Sequence, residues 1–186
     1  MSGKRVNQHI HDLISVLQRI DHSLWTKACD LLLSAYINKS NVWIGGNGGN
    51  SSNASHFATD WNKGLFFETG LALKSHTLWE NSALVSAFAN DGPFDVIYSD
   101  QLKMWAQPND VAVLLTGGGI SKNIIHAAET SRELGLKIIG LTGGNGLQFD
   151  SLYDIHIHIP SNDIQIVEDV HATFGHVVFK HILKSL

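Results

Sequence analysis

Cysteine is nearly absent from this chain. Cys29 stands alone, so no internal disulfide can form, and its place in a helical apolar pattern marks it as a small core hydrophobe in a protein of a reducing compartment. Proline is scarce as well, three in 186 residues, and no Pro-rich linker divides the chain. No apolar run approaches the ~18 residues of a membrane span, and the opening stretch MSGKRVNQHIHDLISVLQRI turns amphipathic at once, unlike a signal peptide. A basic block is missing too: 13 Lys and Arg stand against 17 Asp and Glu, a net charge of −4, which excludes the electrostatic footprint of a nucleic-acid or anionic-membrane binder. These absences leave a cytoplasmic protein whose ligand is small. What remains is 44% apolar content over a length that suits one core and therefore a single domain, residues 1–186.

From Val6 to Ile37 apolar residues recur at helical spacing, interrupted at Asp21-His22-Ser23, where Asp21 or Ser23 can cap a second helix. The spacing predicts a helical hairpin over 1–38, apolar on more than one stripe and so packed against a partner subunit as well as its own core. Over 39–186 the pattern changes to short β-rich runs, NVWIGG, TGLALKSH, DVAVLLT, KIIGLTG and DIHIHIP, alternating with helices around 51–63, 80–89, 94–106, 121–134 and 163–184. VAVLL and KIIGL are apolar at consecutive positions, as parallel strands covered on both faces must be. The fold expected is a doubly wound α/β sheet.

Ligands of such sheets sit beyond the carboxyl ends of the strands, and three loops there are glycine-rich: GGNGGN, TGGGIS and TGGNG. Glycine lets backbone N–H groups approach a ligand closely, and the helix behind each loop favours negative charge, so a phosphorylated ligand is indicated. No Gly-Lys-Ser/Thr follows any loop and the dinucleotide spacing is missing, which disfavours nucleotides. Behind the first loop, His56 and Asp60 share one helical face about 6 Å apart. In VEDVHATFGHVVFKH, Glu168 and His171 share a face, with His176 two turns on from Glu168. If the two helices converge, His56, Asp60, Glu168 and His176 form a two-His, two-carboxylate set suited to Zn²⁺ or to proton shuttling. His156 and His158 alternate with isoleucines, as on a strand with one solvated face, and His126 and His181 read as solvent-facing. The five tryptophans read as core or interface anchors.

These motifs in this order resemble the SIS (sugar isomerase) domain and, within it, the phosphoheptose isomerases, which interconvert sedoheptulose 7-phosphate and D-glycero-D-manno-heptose 7-phosphate. The resemblance spans nearly the whole chain, on GNGGNSSNASHFATD, AFANDG, LLTGGGISKNI, IIGLTGGNG and VEDVHATFGHV. It implies a three-layer α/β/α sandwich around a five-stranded parallel sheet, assembled as a homotetramer. Asn47, Gly48, Gly49 and Asn50 would line the substrate, with Glu168 beside them, and Asn90 and Asp91 would hold sugar hydroxyls. The turn from Thr116 through Gly117 and Gly118 to Ser121 would cradle the phosphate. His56, Asp60, Glu168 and His176 would hold Zn²⁺, with Asp60 and His176 as base and acid of an enediol mechanism.

The chain also departs from the family. Its phosphate turn runs Thr-Gly-Gly-Gly-Ile-Ser where Ser-Thr-Ser-Gly-Asn-Ser is usual, so two hydroxyl donors are gone; Asn50 replaces a serine, Asp60 a glutamate and Glu168 a glutamine. The alternative expectation is a non-catalytic SIS module that binds a sugar phosphate or a protein; both histidines, His56 and His176, favour the enzyme.

Overall fold

The computed structural model describes residues 2–186, with side chains from Val6 onward; Met1 of the expected hairpin lies outside them. Helix α1 (Ser2–Arg19) is followed by α2 (His22–Asn38), and between them Asp21 accepts the Ser23 N–H at 2.8 Å, the cap the sequence suggests. The chain then runs β1 (Val42–Gly46), α3 (Gly49–Thr59), a π-turn at Asp60–Gly64, α4 (Leu65–Thr69), β2 (Ser75–Thr77), α5 (Ser82–Asp91), α6 (Ser99–Trp105), β3 (Val111–Thr116), α7 (Lys122–Glu133), β4 (Lys137–Thr142), β5 (Ile155–His158) and α8 (Ile164–Ser185). Short 3₁₀ turns occupy Phe94–Val96 and Gly146–Leu152.

The strands form one parallel sheet in the order β2-β1-β3-β4-β5. Alternation along them sorts the core into two layers. Val42, Ile44, Val111, Val113 and Leu115 point to the face covered by α1, α2, α3 and α8, whereas Trp43, Ala112 and Leu114 point to the face covered by α5, α6 and α7. The expected α/β/α sandwich is therefore what forms. Its order reverses between β1 and β3, so the crevice beyond the carboxyl ends of those two strands is the topological switch point, where this class of sheet binds ligands. Among the described residues no helix is long and apolar enough to cross a membrane.

Several local expectations change. TGLALKSH pairs only from Ser75: the preceding residues are drawn off the sheet as Thr69 Oγ1 accepts the Leu71 N–H and Leu73 N–H bonds to Trp61 O. The helix expected over 51–63 runs on through the π-turn to Thr69, and the one expected over 94–106 divides at Ile97-Tyr98. His156 is not on a solvated face. It is 8% exposed, because the Gly146–Leu152 turn folds over β5 and brings Asp150 Oδ1 to 2.8 Å from its Nδ1, while Thr142 Oγ1 lies 2.8 Å from its Nε2. His126 and His181 are half-buried, held by Asp95 O at 3.1 Å and Asp30 Oδ1 at 2.9 Å. Cys29 is in the core, where burial pushes its thiol up to about 11, and Trp25, Trp43 and Trp61 are core residues while Trp79 and Trp105 reach the surface.

Candidate functional site

At the end of β1 the chain must leave a buried strand and start α3 within two residues. Gly48 makes this possible at φ +55, a left-handed conformation that costs a residue with a Cβ. Asn47 does not turn its amide out toward a ligand. It forms a reciprocal pair with Asn123 in the first turn of α7, each Nδ2 donating to the other's Oδ1 at 2.8 Å, and Tyr98 donates to Asn47 Oδ1 at 3.1 Å and Gly46 O at 2.5 Å. The loops after β1 and β3 are thus bolted together across the switch point. Asn123 and Tyr98 went unread in the sequence; an asparagine just inside a helix after a glycine turn was the only signal available.

Gly49 opens α3 beneath Glu168, and a methyl group there would overlap the Glu168 carboxylate. Glu168 is half-buried and its pKa is raised, first by loss of water and then by neighbouring Asp169. Asn50 is 5% exposed and turned inward: its Oδ1 lies 2.5 Å from Nδ1 of His171, and its Nδ2 faces Glu168 Oε1 at 3.4 Å. His171 is fully buried, which pushes its pKa down to about 3, so the ring is neutral.

Two to three turns further along α3 the expected convergence occurs. His56 Nε2 lies 2.8 Å from Nε2 of His176 on α8, and Asp60 Oδ2 lies 3.6 Å from the first and 3.8 Å from the second. The three ligand atoms fall within 4.8 Å of one another, and all three side chains are reached by solvent. Two features bring the helices this close. Gly175 presents no side chain to the ring of Phe57, and its carbonyl accepts the Trp61 Nε1–H at 3.0 Å. The π-turn that begins at Asp60 lets the chain bury Trp61 completely while Asp60 stays at the opening. Two imidazole nitrogens and one carboxylate oxygen are the donors of a catalytic zinc centre with an open position. Their mutual spacing, 2.8–3.8 Å, brackets the edge of about 3.3 Å of a tetrahedron with ligands at about 2.0–2.1 Å, so the residues present fit such an ion. Glu168 stands outside this trio, against Gly49 and Asn50.

The turn after β3 is open at Gly118, whereas Gly119, at φ +75, is packed against the backbone of Gly143 and Gly146. Thr116 Oγ1 accepts the Gly119 N–H at 3.1 Å and sits 3.2 Å from Ser121 Oγ, while a Cβ on Gly118 would meet nothing within 4 Å. Ser121 precedes α7 without capping it, so its side chain leaves the first N–H groups of the helix unpaired. Asn90 and Asp91 close α5, exposed and hydrogen-bonded to each other at 2.8 Å.

A sequence model of the SIS domain matches residues 7–143. The phosphoheptose isomerase of Mycobacterium tuberculosis is 32% identical over 157 residues, which cover 84% of this chain and 80% of the relative. The structure of a phosphoheptose isomerase from Neisseria gonorrhoeae superimposes over the full length of both chains with TM-score 0.89 at 26% identity. That of the phosphoheptose isomerase from Francisella tularensis covers 99% of each chain with TM-score 0.90 at 25% identity.

Proposed function

The chain belongs to the SIS-domain family, within its phosphoheptose isomerases, and on that premise we propose that it interconverts sedoheptulose 7-phosphate and D-glycero-D-manno-heptose 7-phosphate through an enediol. The observation that carries this reading is the meeting of His56, Asp60 and His176, brought together across 120 residues of chain two to three turns along α3 from the glycine loop. Isomerisation needs two proton transfers, one between adjacent carbons and one between their oxygens. Asp60 is the carbon base. It removes the proton next to the carbonyl, the C–H pair becomes the enediol double bond, and the same carboxyl group later returns the proton to the neighbouring carbon. His176 serves the oxygens, giving a proton to the former carbonyl and taking one from the adjacent hydroxyl. His56, hydrogen-bonded to His176, orients that ring. The phosphate rests on the turn Thr116–Ser121, held by backbone N–H groups and the Ser121 hydroxyl, and Asn90 and Asp91 take hydroxyls of the sugar.

Zn²⁺ would be held by His56, Asp60 and His176, its coordination replacing the His56–His176 hydrogen bond, and when bound would take over from His176 the stabilisation of charge building on the substrate oxygen. The working protein is a cytoplasmic homotetramer in this reading; the apolar residues left exposed on α1 support the assembly. A non-catalytic module is the weaker reading, since it has no use for an acid–base trio.

The test is incubation with sedoheptulose 7-phosphate in D₂O, with and without chelator. Deuterium is expected at the carbon beside the carbonyl, together with the aldose product, and chelator is expected to suppress both. No exchange with any seven-carbon ketose phosphate sinks the isomerase.

A further inference from the structure

Asn50, Glu168 and His171 lie outside the acid–base trio yet form one connected set, and the hydrogen-bonding choices within it are mutually determined. Asn50 offers one acceptor and one donor group in a nearly closed space. With Nδ1 of His171 as the N–H, it donates to Asn50 Oδ1, Nε2 is left as a buried lone pair, and the Asn50 NH₂ group points at Glu168. Flipping the amide would turn its oxygen toward the carboxylate and require Nδ1 to accept. The ring proton would then sit on Nε2, which is buried without a partner, stranding a donor. Only the first arrangement satisfies both ends. Glu168 is held from α3 at its backbone too, where Asn53 Nδ2 donates to its carbonyl at 3.0 Å, and the missing side chain of Gly49 makes room for the carboxylate over the positive end of the helix.

Resting on the isomerase reading, we infer that His171 and Asn50 are positioning residues which aim the Glu168 carboxylate at the glycine loop, where it takes a hydroxyl of the sugar. Asn50 engages Oε1, and Oε2 is the carboxylate oxygen nearest Gly49 of the glycine loop. An ionised carboxylate accepts hydrogen bonds and repels phosphate, so this group selects the hydroxylated end of the substrate and directs the phosphate to the turn after β3. Asn50 thereby acts through Glu168 and does not touch the sugar.

A double-mutant cycle with a resonance readout tests this. Asn50→Ser is expected to lower kcat/KM on the order of 10- to 100-fold in protein whose far-ultraviolet spectrum is kept, the cost of a misaimed group. In a Glu168→Ala background the same change should cost nothing further; effects that multiply would place Asn50 on the substrate and overturn the relay. His171→Asn, which keeps a donor where Nδ1 stands, should retain more activity than His171→Leu, and equal loss in both counts against it. In the protein without substrate, the Asn50 side-chain NH₂ resonances should move in both His171→Leu and Glu168→Ala. Resonances that stay put overturn the relay. Should the unsubstituted protein turn over no seven-carbon ketose phosphate, the isomerase reading falls and the amide resonances alone decide the relay.

Discussion

His171 shows how a single side chain writes a pH dependence into the fold. Burial lowers its pKa from 6.5 to about 3, so above pH 6.5 the ring is neutral folded or unfolded and acid costs nothing. Below 6.5 the unfolded chain takes up a proton that the native ring refuses, and stability falls by up to ~1.4 kcal/mol per pH unit until about pH 3. The melting temperature is expected to be level above pH 6.5 and to decline toward pH 4, with a shallower decline in His171→Asn; equal slopes in a scan of both proteins would clear His171 of the effect. His176 belongs to the same scale. Its replacement in His176→Gln should lower kcat by at least ~100-fold while the far-ultraviolet spectrum and assembly are kept, and retained turnover would remove it from the proton transfers.

Between elements, the α3–α8 contact decides whether there is a site at all. The histidines meet because Gly175 lets α8 lie against Phe57, and a methyl group at Gly175 would overlap that ring. Gly175→Ala should cost ~1–3 kcal/mol in urea unfolding, as overpacking does, and should weaken Zn²⁺ binding measured against a chromophoric chelator. Unchanged Zn²⁺ affinity would mean that the spacing of the helices does not set the trio. The π-turn is the second device here. Periodicity predicts where α3 begins but not that it widens at Asp60, because the extra residue is stabilised by distant groups: Gly175 O on Trp61, and Ser75 bonded at both its N–H and its carbonyl to Asn62. The same reason shortens the second strand to Ser75–Thr77.

For the whole molecule, the outer face of α1 matters most. Val6, Ile10 and Ile14 are 60%, 49% and 47% exposed, and Ile37 and Phe67 add further apolar surface elsewhere on the chain. Such a stripe on a soluble helix marks a contact between proteins. The double substitution Ile10→Glu with Ile14→Glu is expected to break the proposed tetramer into smaller species in sedimentation velocity; an unchanged sedimentation coefficient would place the interface elsewhere. The sheet, its helices, the glycine loops and the pairing of His56 with Asp60 could all be read from the chain, since each is set by residues within a turn or a strand of one another. Consecutive apolar residues demanded strands covered on both faces, and i, i+4 spacing demanded a shared helical face. Tertiary structure alone decided which distant groups meet. It brought His176 to His56 but left Glu168 with Asn50, buried His156 under a turn that periodicity does not announce, and bonded Asn123 and Tyr98 to Asn47 and His171 to Asn50. Those outcomes depend on where a glycine lets two helices touch and on which buried donors find acceptors. Both are settled by packing across more than a hundred residues of chain, and no local pattern encodes it.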